Sequence, residues 1–226
     1  MIPFEHSRLV KQKYRRHFTG CFGEASIKSV EQMTKATAKL LEECRRMKEE
    51  FAETTPQQVR HWQEVFSSMG ASSKYQSSIV ALWNRFKADN RLYEILPVVD
   101  FYNAVSLRYL TPMAAYDADK IVGGIFLRYA QKGEPFTPLG NPKQVEKTKN
   151  GEIVYADEGK VICRYWNLRD CDQTRITGDT RSVILFADLV ADSAAEAQQL
   201  AQKIQEALSS GFGTSVPHSL AGISDE

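Results

Sequence analysis

No stretch of this 226-residue chain is apolar for long enough to cross a bilayer, and no basic start runs into an apolar leader, so a cytoplasmic location is expected. An excess of charge of one sign is also missing. The 29 Lys and Arg face 28 Asp and Glu, so no global field advertises a nucleic-acid partner, and such a contact needs a local patch. Cysteine is scarce. Cys21, Cys44, Cys163 and Cys171 contain no CxxC pair, and the Cys163–Cys171 spacing is not typical of zinc sites. Reduced thiols, no metal and no cofactor are expected. P-loop, GxGxxG, HExxH and GxSxG motifs are absent. The four histidines, His6, His17, His61 and His218, lie far apart in sequence, so a histidine-based acid or nucleophile-activating pair is not expected.

A hydrophobic content of 42% is enough for one sizeable core, or for a core with a helical annex. The first 28 residues carry a basic knot, Lys11, Lys13, Arg15, Arg16 and His17, interleaved with Tyr14 and Phe18. Such a mixture suits phosphate contact and base stacking. It equally suits a solvated arm or a charged edge strand. Val30, Met33, Leu40 and Leu41 keep helical spacing over 29–51. Pro56 starts a second helix with Val59, Trp62, Phe66 and Met69 on one stripe and Gly70 as its stop. A third helix is expected from about Ser73 to Lys87. Beyond it, the pattern predicts a helix over 98–109, strands at 123–130, EIVYAD, VICRYW and SVILFADLV, and a closing helix over 193–208. The Gly- and Ser-rich tail from 211 reads as mobile.

The stretch LPVVDFYNAVSLRY holds an unusual polar stripe. Asp100, Asn103 and Ser106 are three residues apart, so on a helix they share a face, yet apolar residues surround them. Such groups must be hydrogen-bonded, at a cost of about 1–3 kcal/mol per unsatisfied group. The stripe therefore either ties the fold together or lines a pocket. The loop WNLRDCDQT offers Trp166 to stack and Arg169 for an anion, which suits an amino acid or a nucleotide edge.

These residues, VVDFYNAVSL followed by TPMAAYDADKIVGGIFLRYAQKGE, resemble the B3/B4 domain of the bacterial phenylalanyl-tRNA synthetase beta subunit. They are closer still to free-standing B3/B4 proteins, whose helical preface is similar to Lys74-Tyr75, Ser78-Ile79, Ala81-Leu82 and Arg85 here. In the synthetase this domain hydrolyses tyrosine wrongly attached to the phenylalanine tRNA. The resemblance carries the pocket asparagine onto Asn103 and its neighbouring aspartate onto Asp100. It puts Ala114 at the family's histidine and Phe186 at its hydroxyl-recognising glutamate. Asp188 alternates with Phe186 along the strand and would share its face.

The resemblance implies an α+β fold, a mixed or antiparallel sheet with an N-terminal helical annex. The expected divisions are an arm and annex at 1–90, the B3/B4-like domain at 91–210 and a tail at 211–226. It further implies binding of tRNA or aminoacyl-tRNA, with trans-editing deacylation as the activity. A non-catalytic module for RNA, an amino acid or a nucleotide, and an accessory protein docking a synthetase, stay open. Aminoacylation by this chain alone is not expected, because no aminoacylation domain is present. The pocket is expected to gather Asn103, Ala114, Trp166, Arg169 and Phe186 around one cavity, with Asp100, Ser106 and Asp188 beside them. Lys11, Lys13, Arg15 and Arg16 are the RNA-facing candidates.

Overall fold

A computed structural model describes residues 2–69 and 75–222. Gly70, Ser73 and Lys74, the expected stop of one helix and start of the next, lie outside the described residues. The chain opens with β1 (Phe4–His6), α1 (Arg8–Lys13) and β2 (His17–Ser26). Four helices follow: α2 (Val30–Glu50), α3 (Gln57–Ser68), α4 (Ser78–Asp89) and α5 (Pro97–Tyr109). Then come β3 (Met113–Asp117), β4 (Ile125–Tyr129), the short β5 (Pro135–Phe136) and β6 (Glu146–Lys147), β7 (Ile153–Asp157), β8 (Val161–Arg164) and β9 (Arg169–Asp170). The chain closes with β10 (Ser182–Val190), α6 (Ala194–Phe212) and β11 (His218–Ala221).

The fold is α+β. One sheet has the order β1-β4-β7-β8-β9, another β11-β2-β10-β3, and β5 pairs with β6 as a separate two-stranded sheet. Only the β1–β4 pair in the two larger sheets is parallel, so the first sheet is mixed and the second antiparallel. Thr19, Phe186 and Asp188 of the second sheet meet Phe4, His6 and Tyr155 of the first, so the sheets pack face to face through these side chains. Helix α6 covers the opposite face of the second sheet, where Ala201 comes close to Gly20, and α2 packs along α5 and α6. No helix among the described residues is long and apolar enough to cross a membrane.

Local rules account for most helix ends. Ser29 and Ser193 cap α2 and α6 by accepting from Gln32 N–H and Glu196 N–H. Pro97 sits in the first turn of α5, where its missing N–H costs nothing, and Leu110 ends that helix in the left-handed region.

The arm and tail behave differently from the expectation of separate flanking segments. β2 is an interior strand between β11 and β10, and β11 returns the tail to the same sheet. The glycines of HFTGCFGEAS conceal the strand, because glycine has low strand propensity. At Gly20 the reason for glycine is steric: a Cβ would sit 2.9 Å from the Phe22 ring. Strand β3 also escapes the hydrophobic pattern, since MAAYD is short, follows a proline and ends in aspartate.

Gly211 tests how α5 meets α6. A methyl group there would overlap the Phe101 ring, which is fully buried and packs edge-on against Phe212 at 5.8 Å. Glycine to alanine inside a helix normally stabilises by about 1 kcal/mol. Gly211→Ala is instead expected to lower stability by about 1–3 kcal/mol through overpacking. Gly178→Ala, where a Cβ meets nothing within 4 Å, is expected to stay within about 0.5 kcal/mol of wild type. Urea midpoints of the two variants make the comparison.

Candidate functional site

Asp188 is a carboxylate 4% exposed on β10, between the sheets. Burying it requires donors, and they arrive from three distant segments. Tyr155 donates its hydroxyl to Oδ1, Thr19 Oγ1 lies 3.3 Å from the same oxygen, and Asn167 Nδ2 donates to Oδ2 at 2.9 Å. Thr19 also lies 3.0 Å from the Tyr155 hydroxyl and 2.9 Å from His6 Nε2. Burial pushes the Asp188 carboxyl up from its ordinary value, while the donors from Tyr155, Asn167 and Thr19 pull the other way. His6 is held neutral: burial, with Lys11 nearby, pushes its pKa down to about 4.

Asn167 reaches Asp188 because of the backbone just before it. Tyr165 and Trp166 both occupy the left-handed region, with φ of 51° and 64°. Each such residue costs on the order of 1–3 kcal/mol. Surrounding contacts hold the conformation: Trp166 N–H donates to the Ile153 carbonyl at 2.7 Å, and Tyr165 stacks on Tyr75 with ring centres 4.7 Å apart. The Trp166 indole is 1% exposed and packs against Tyr14, His17 and Trp62 at 4.9, 5.1 and 5.2 Å. Four buried polar atoms around it, Tyr14 Oη, His17 Nδ1, Trp166 Nε1 and Asn167 Oδ1, have no hydrogen-bond partner among the described residues. The indole N–H comes near enough to Asp188 to favour its ionised form without making a well-formed hydrogen bond. Strain and unpaired polar atoms at one place are the physical mark of a site shaped for something other than stability.

A cavity of about 280 Å³ has Asp188 among its lining residues. Asp188, Trp62, Thr111, Gln58, Gln199 and Lys203 are among its walls. Next to it runs a recess containing His61, whose Nε2 is 3.0 Å from His17 Nε2. The fold thus pairs two histidines that are 44 residues apart in sequence, contrary to the expectation of scattered histidines. Burial, then His61, pushes His17 down to about 3, and burial lowers His61 as well.

The expected pocket residues divide. Trp166 and Asp188 belong to this network. Asp100 accepts from Ile95 N–H at 2.9 Å and so ties the start of α5, and Ser106 Oγ donates to the Thr111 carbonyl at 2.6 Å and ties its end. Asn103 is half-buried on α5 and makes no side-chain hydrogen bond among the described residues. Ala114 and Phe186 are direct cross-strand neighbours. Phe186 is buried and packs against Phe4, Tyr155 and Tyr116 at 5.2, 5.8 and 6.0 Å, so aromatic rings fill that position. Arg169 is not free for an anion, because Glu146 holds its guanidinium at 2.9 Å. The expected convergence of Asn103, Ala114, Trp166, Arg169 and Phe186 on one cavity is therefore corrected: of all the expected residues, only Asp188 lines the cavity beside it. Lys11 and Lys13 lie on α1, and Arg15 and Arg16 in the turn before β2. The sequence reading missed His6, Thr19, Tyr155 and Trp62, which look like ordinary core or flank residues until the sheets assemble.

The two depressed histidines fix a sign for acid stability. Between about pH 4 and the ordinary 6.5 the unfolded chain binds protons at His6 and His17 that the folded chain does not. Their contribution to stability thus rises with pH across that window, by up to about 1.4 kcal/mol per pH unit for each histidine, and is complete above 6.5. The raised carboxyls of Asp170 and Asp188 act in the opposite direction, favouring the fold at low pH and losing that contribution as pH rises. His6→Gln keeps a polar group near Thr19 and removes one titration. Urea unfolding between about pH 4.5 and 6.5 is expected to show its slope reduced by about 1 kcal/mol per pH unit relative to wild type; an identical slope would mean that His6 titrates normally.

Comparison with known proteins places this geometry in a lineage. The B3/4 domain family model matches residues 61–221, most of the chain. The phenylalanine–tRNA ligase beta subunit of Fusobacterium nucleatum is 36% identical over 112 residues, covering 50% of this chain and 14% of that protein. The same subunit of Yersinia pestis is 34% identical over 105 residues, covering 46% and 13%. The chain thus spans about one seventh of the length of these relatives. A crystal structure of an N-terminal fragment of the phenylalanyl-tRNA synthetase beta subunit from Pyrococcus horikoshii aligns over 97% of this chain and 50% of that one, with 12% identity and a TM-score of 0.47. By the extent of the family match, this chain belongs to the B3/4 domain family.

Proposed function

We propose that the protein binds the aminoacylated end of a tRNA in the cytoplasm and removes the amino acid by hydrolysing its ester. The observation that carries this reading is Asp188, a buried carboxylate held by three donors, in the wall of a cavity of about 280 Å³. That volume is just below the range of roughly 300–1,000 Å³ common for small-molecule sites, and it suits an aminoacyl group better than a whole nucleotide. Asp188 Oδ2 accepts one hydrogen bond, from Asn167, and retains capacity for another.

In this reading a water molecule attacks the ester carbonyl while Asp188 takes its proton, and as the C–O bond of the tetrahedral intermediate breaks Asp188 returns that proton to the departing ribose oxygen. The raised carboxyl pKa brings Asp188 closer to the working range of a general base. Tyr155, Thr19 and Asn167 fix its orientation. Membership of the B3/4 family supports the choice of an aminoacyl-tRNA end. Tyrosine selectivity of the kind the resemblance implies is not part of the proposal. Ala114 and Phe186 stand where that selectivity needs a histidine and a glutamate, and a site without the hydroxyl acceptor loses its discrimination. A second reading, binding without turnover, draws on the aromatic packing around Phe186, which occupies the position that the family pattern gives to the glutamate.

Release of radiolabelled amino acid from a panel of correctly and wrongly charged tRNAs tests the reading. Wild-type protein is expected to deacylate at least one of them. Asp188→Asn, nearly the same size and still able to meet Asn167 and Tyr155, is expected to lose about 10²–10⁴-fold in rate. Release that is equally fast in the variant rejects Asp188 as the base. No release from any charged tRNA rejects hydrolysis and leaves the binding reading.

A further inference from the structure

Three recesses follow one another past the end of β10 and the first turns of α6. The Asp188 cavity shares Gln58, Val190 and Glu196 with the second recess, of about 360 Å³, which contains Arg16, Arg60 and His61. At Asp192 the second meets a third, of about 680 Å³, walled by Arg8, Lys11 and Arg15. Among the described residues, Arg8, Lys11 and Arg15 have no ion-pair partner, whereas Arg16 is held by Asp192 at 2.6 Å.

We propose that these recesses form one track for a single-stranded RNA 3′ end, with phosphates on Arg8, Lys11, Arg15 and Arg16 and the terminal aminoacyl group at Asp188. The inference rests on the proposed function and gives it a direction. An aminoacylated RNA end is a polyanion with one cationic tip, the α-ammonium. The track is its complement, with cations along the outer recesses and Asp188 and Glu196 against the single Lys203 in the wall of the inner cavity. Threaded the other way, phosphates would have to pass Asp188, whose charge cannot be neutralised by the donors around it.

The walls also carry acids. Glu5, Glu64, Asp192 and Glu196 share the two outer recesses with five cations, so attraction comes from particular side chains and not from a general field. Glu196 is occupied, accepting from Asp192 N–H at 2.8 Å. Asp192 stands at the junction of the recesses, and its carboxylate competes with any phosphate for Arg16. The Asp192 and Arg16 side chains are 76% and 53% exposed, so their ion pair is weak and a phosphate, which arginine holds bidentately, displaces it.

Binding of a short single-stranded RNA bearing a 3′-aminoacyl group, measured by filter retention across a salt series, tests the track. The Arg8→Ala/Lys11→Ala/Arg15→Ala variant is expected to bind at least tenfold more weakly, with its log–log salt slope smaller by about 2, since each single-strand phosphate contact contributes about 0.7. Asp192→Asn, an exposed change, is expected to tighten binding two- to tenfold. N-acetylation of the aminoacyl group, which removes the ammonium, is expected to weaken it. If wild type binds and the triple variant shows the same affinity and slope, the track is wrong while the proposed function stands. If wild type retains no aminoacylated RNA at any salt, the proposed function itself fails.

Discussion

Burial of one carboxylate organises this molecule. An ionised group withdrawn from water costs several kcal/mol unless donors surround it. Here the donors come from β2, β7 and the segment after β8, with His6 of β1 bonded in turn to Thr19. Each of these elements must sit in one register for its side chain to reach Asp188. A slip of one residue in β10 would turn Asp188 to the α6 face, where Ala187 and Gly20 lie, away from Tyr155, Thr19 and Asn167. The polar network thus fixes how the two sheets face each other, and the apolar packing fills in around it.

The same demand explains the strained pair Tyr165 and Trp166. The chain leaves β8 at Arg164, itself locked by Glu152 and Glu146, and must within three residues present Asn167 to a carboxylate on the other sheet. Two left-handed residues make that turn, and the aromatic cluster of Tyr14, His17, Trp62 and Trp166 holds them there. Polar atoms left without partners inside that cluster lie close to the Asp188 cavity. A wall that is strained, unsaturated and rigid is better suited to receiving a ligand than to maximising stability.

Differences from the family pattern follow the same physical line. Where the B3/4 resemblance leads one to look for a histidine and a glutamate, Ala114 and Phe186 pair across two strands, and the Phe186 ring joins Phe4, Tyr116 and Tyr155. That part of the intersheet space is apolar and filled. The acid lies two residues further along the same strand face, at Asp188, beyond the reach of β3, whose pairing with β10 ends at Ala187. There the edge of β10 opens to Gln58 and Trp62 of α3 and to Lys203 of α6, and a cavity becomes available.

Helices α2 to α6 were legible because a 3.6-residue hydrophobic period, serine caps and Pro97 are local signals, and the strands β7, β8 and β10 because their apolar runs are short and bounded by turns. The family resemblance was legible too, and with it the α+β class. The pairing of β2 with β10 and β11 was not, since its glycines and basic flank resemble a loop, and only the Phe22 ring shows why Gly20 is required. Nor was the site: Asp100 and Ser106 carry the polar signal in the sequence but serve as ties at the ends of α5, while Thr19, Tyr155 and His6 carry none. The sequence by itself determined that α2 to α6 are helices, that β4, β7, β8 and β10 are strands and that Asp188 and Phe186 share a face, because these depend on neighbours a few residues away. Tertiary structure alone decided that Asp188 is buried among donors, that His17 meets His61 and that Arg169 is neutralised by Glu146, because each of these depends on which distant groups the folded chain brings within about 3 Å.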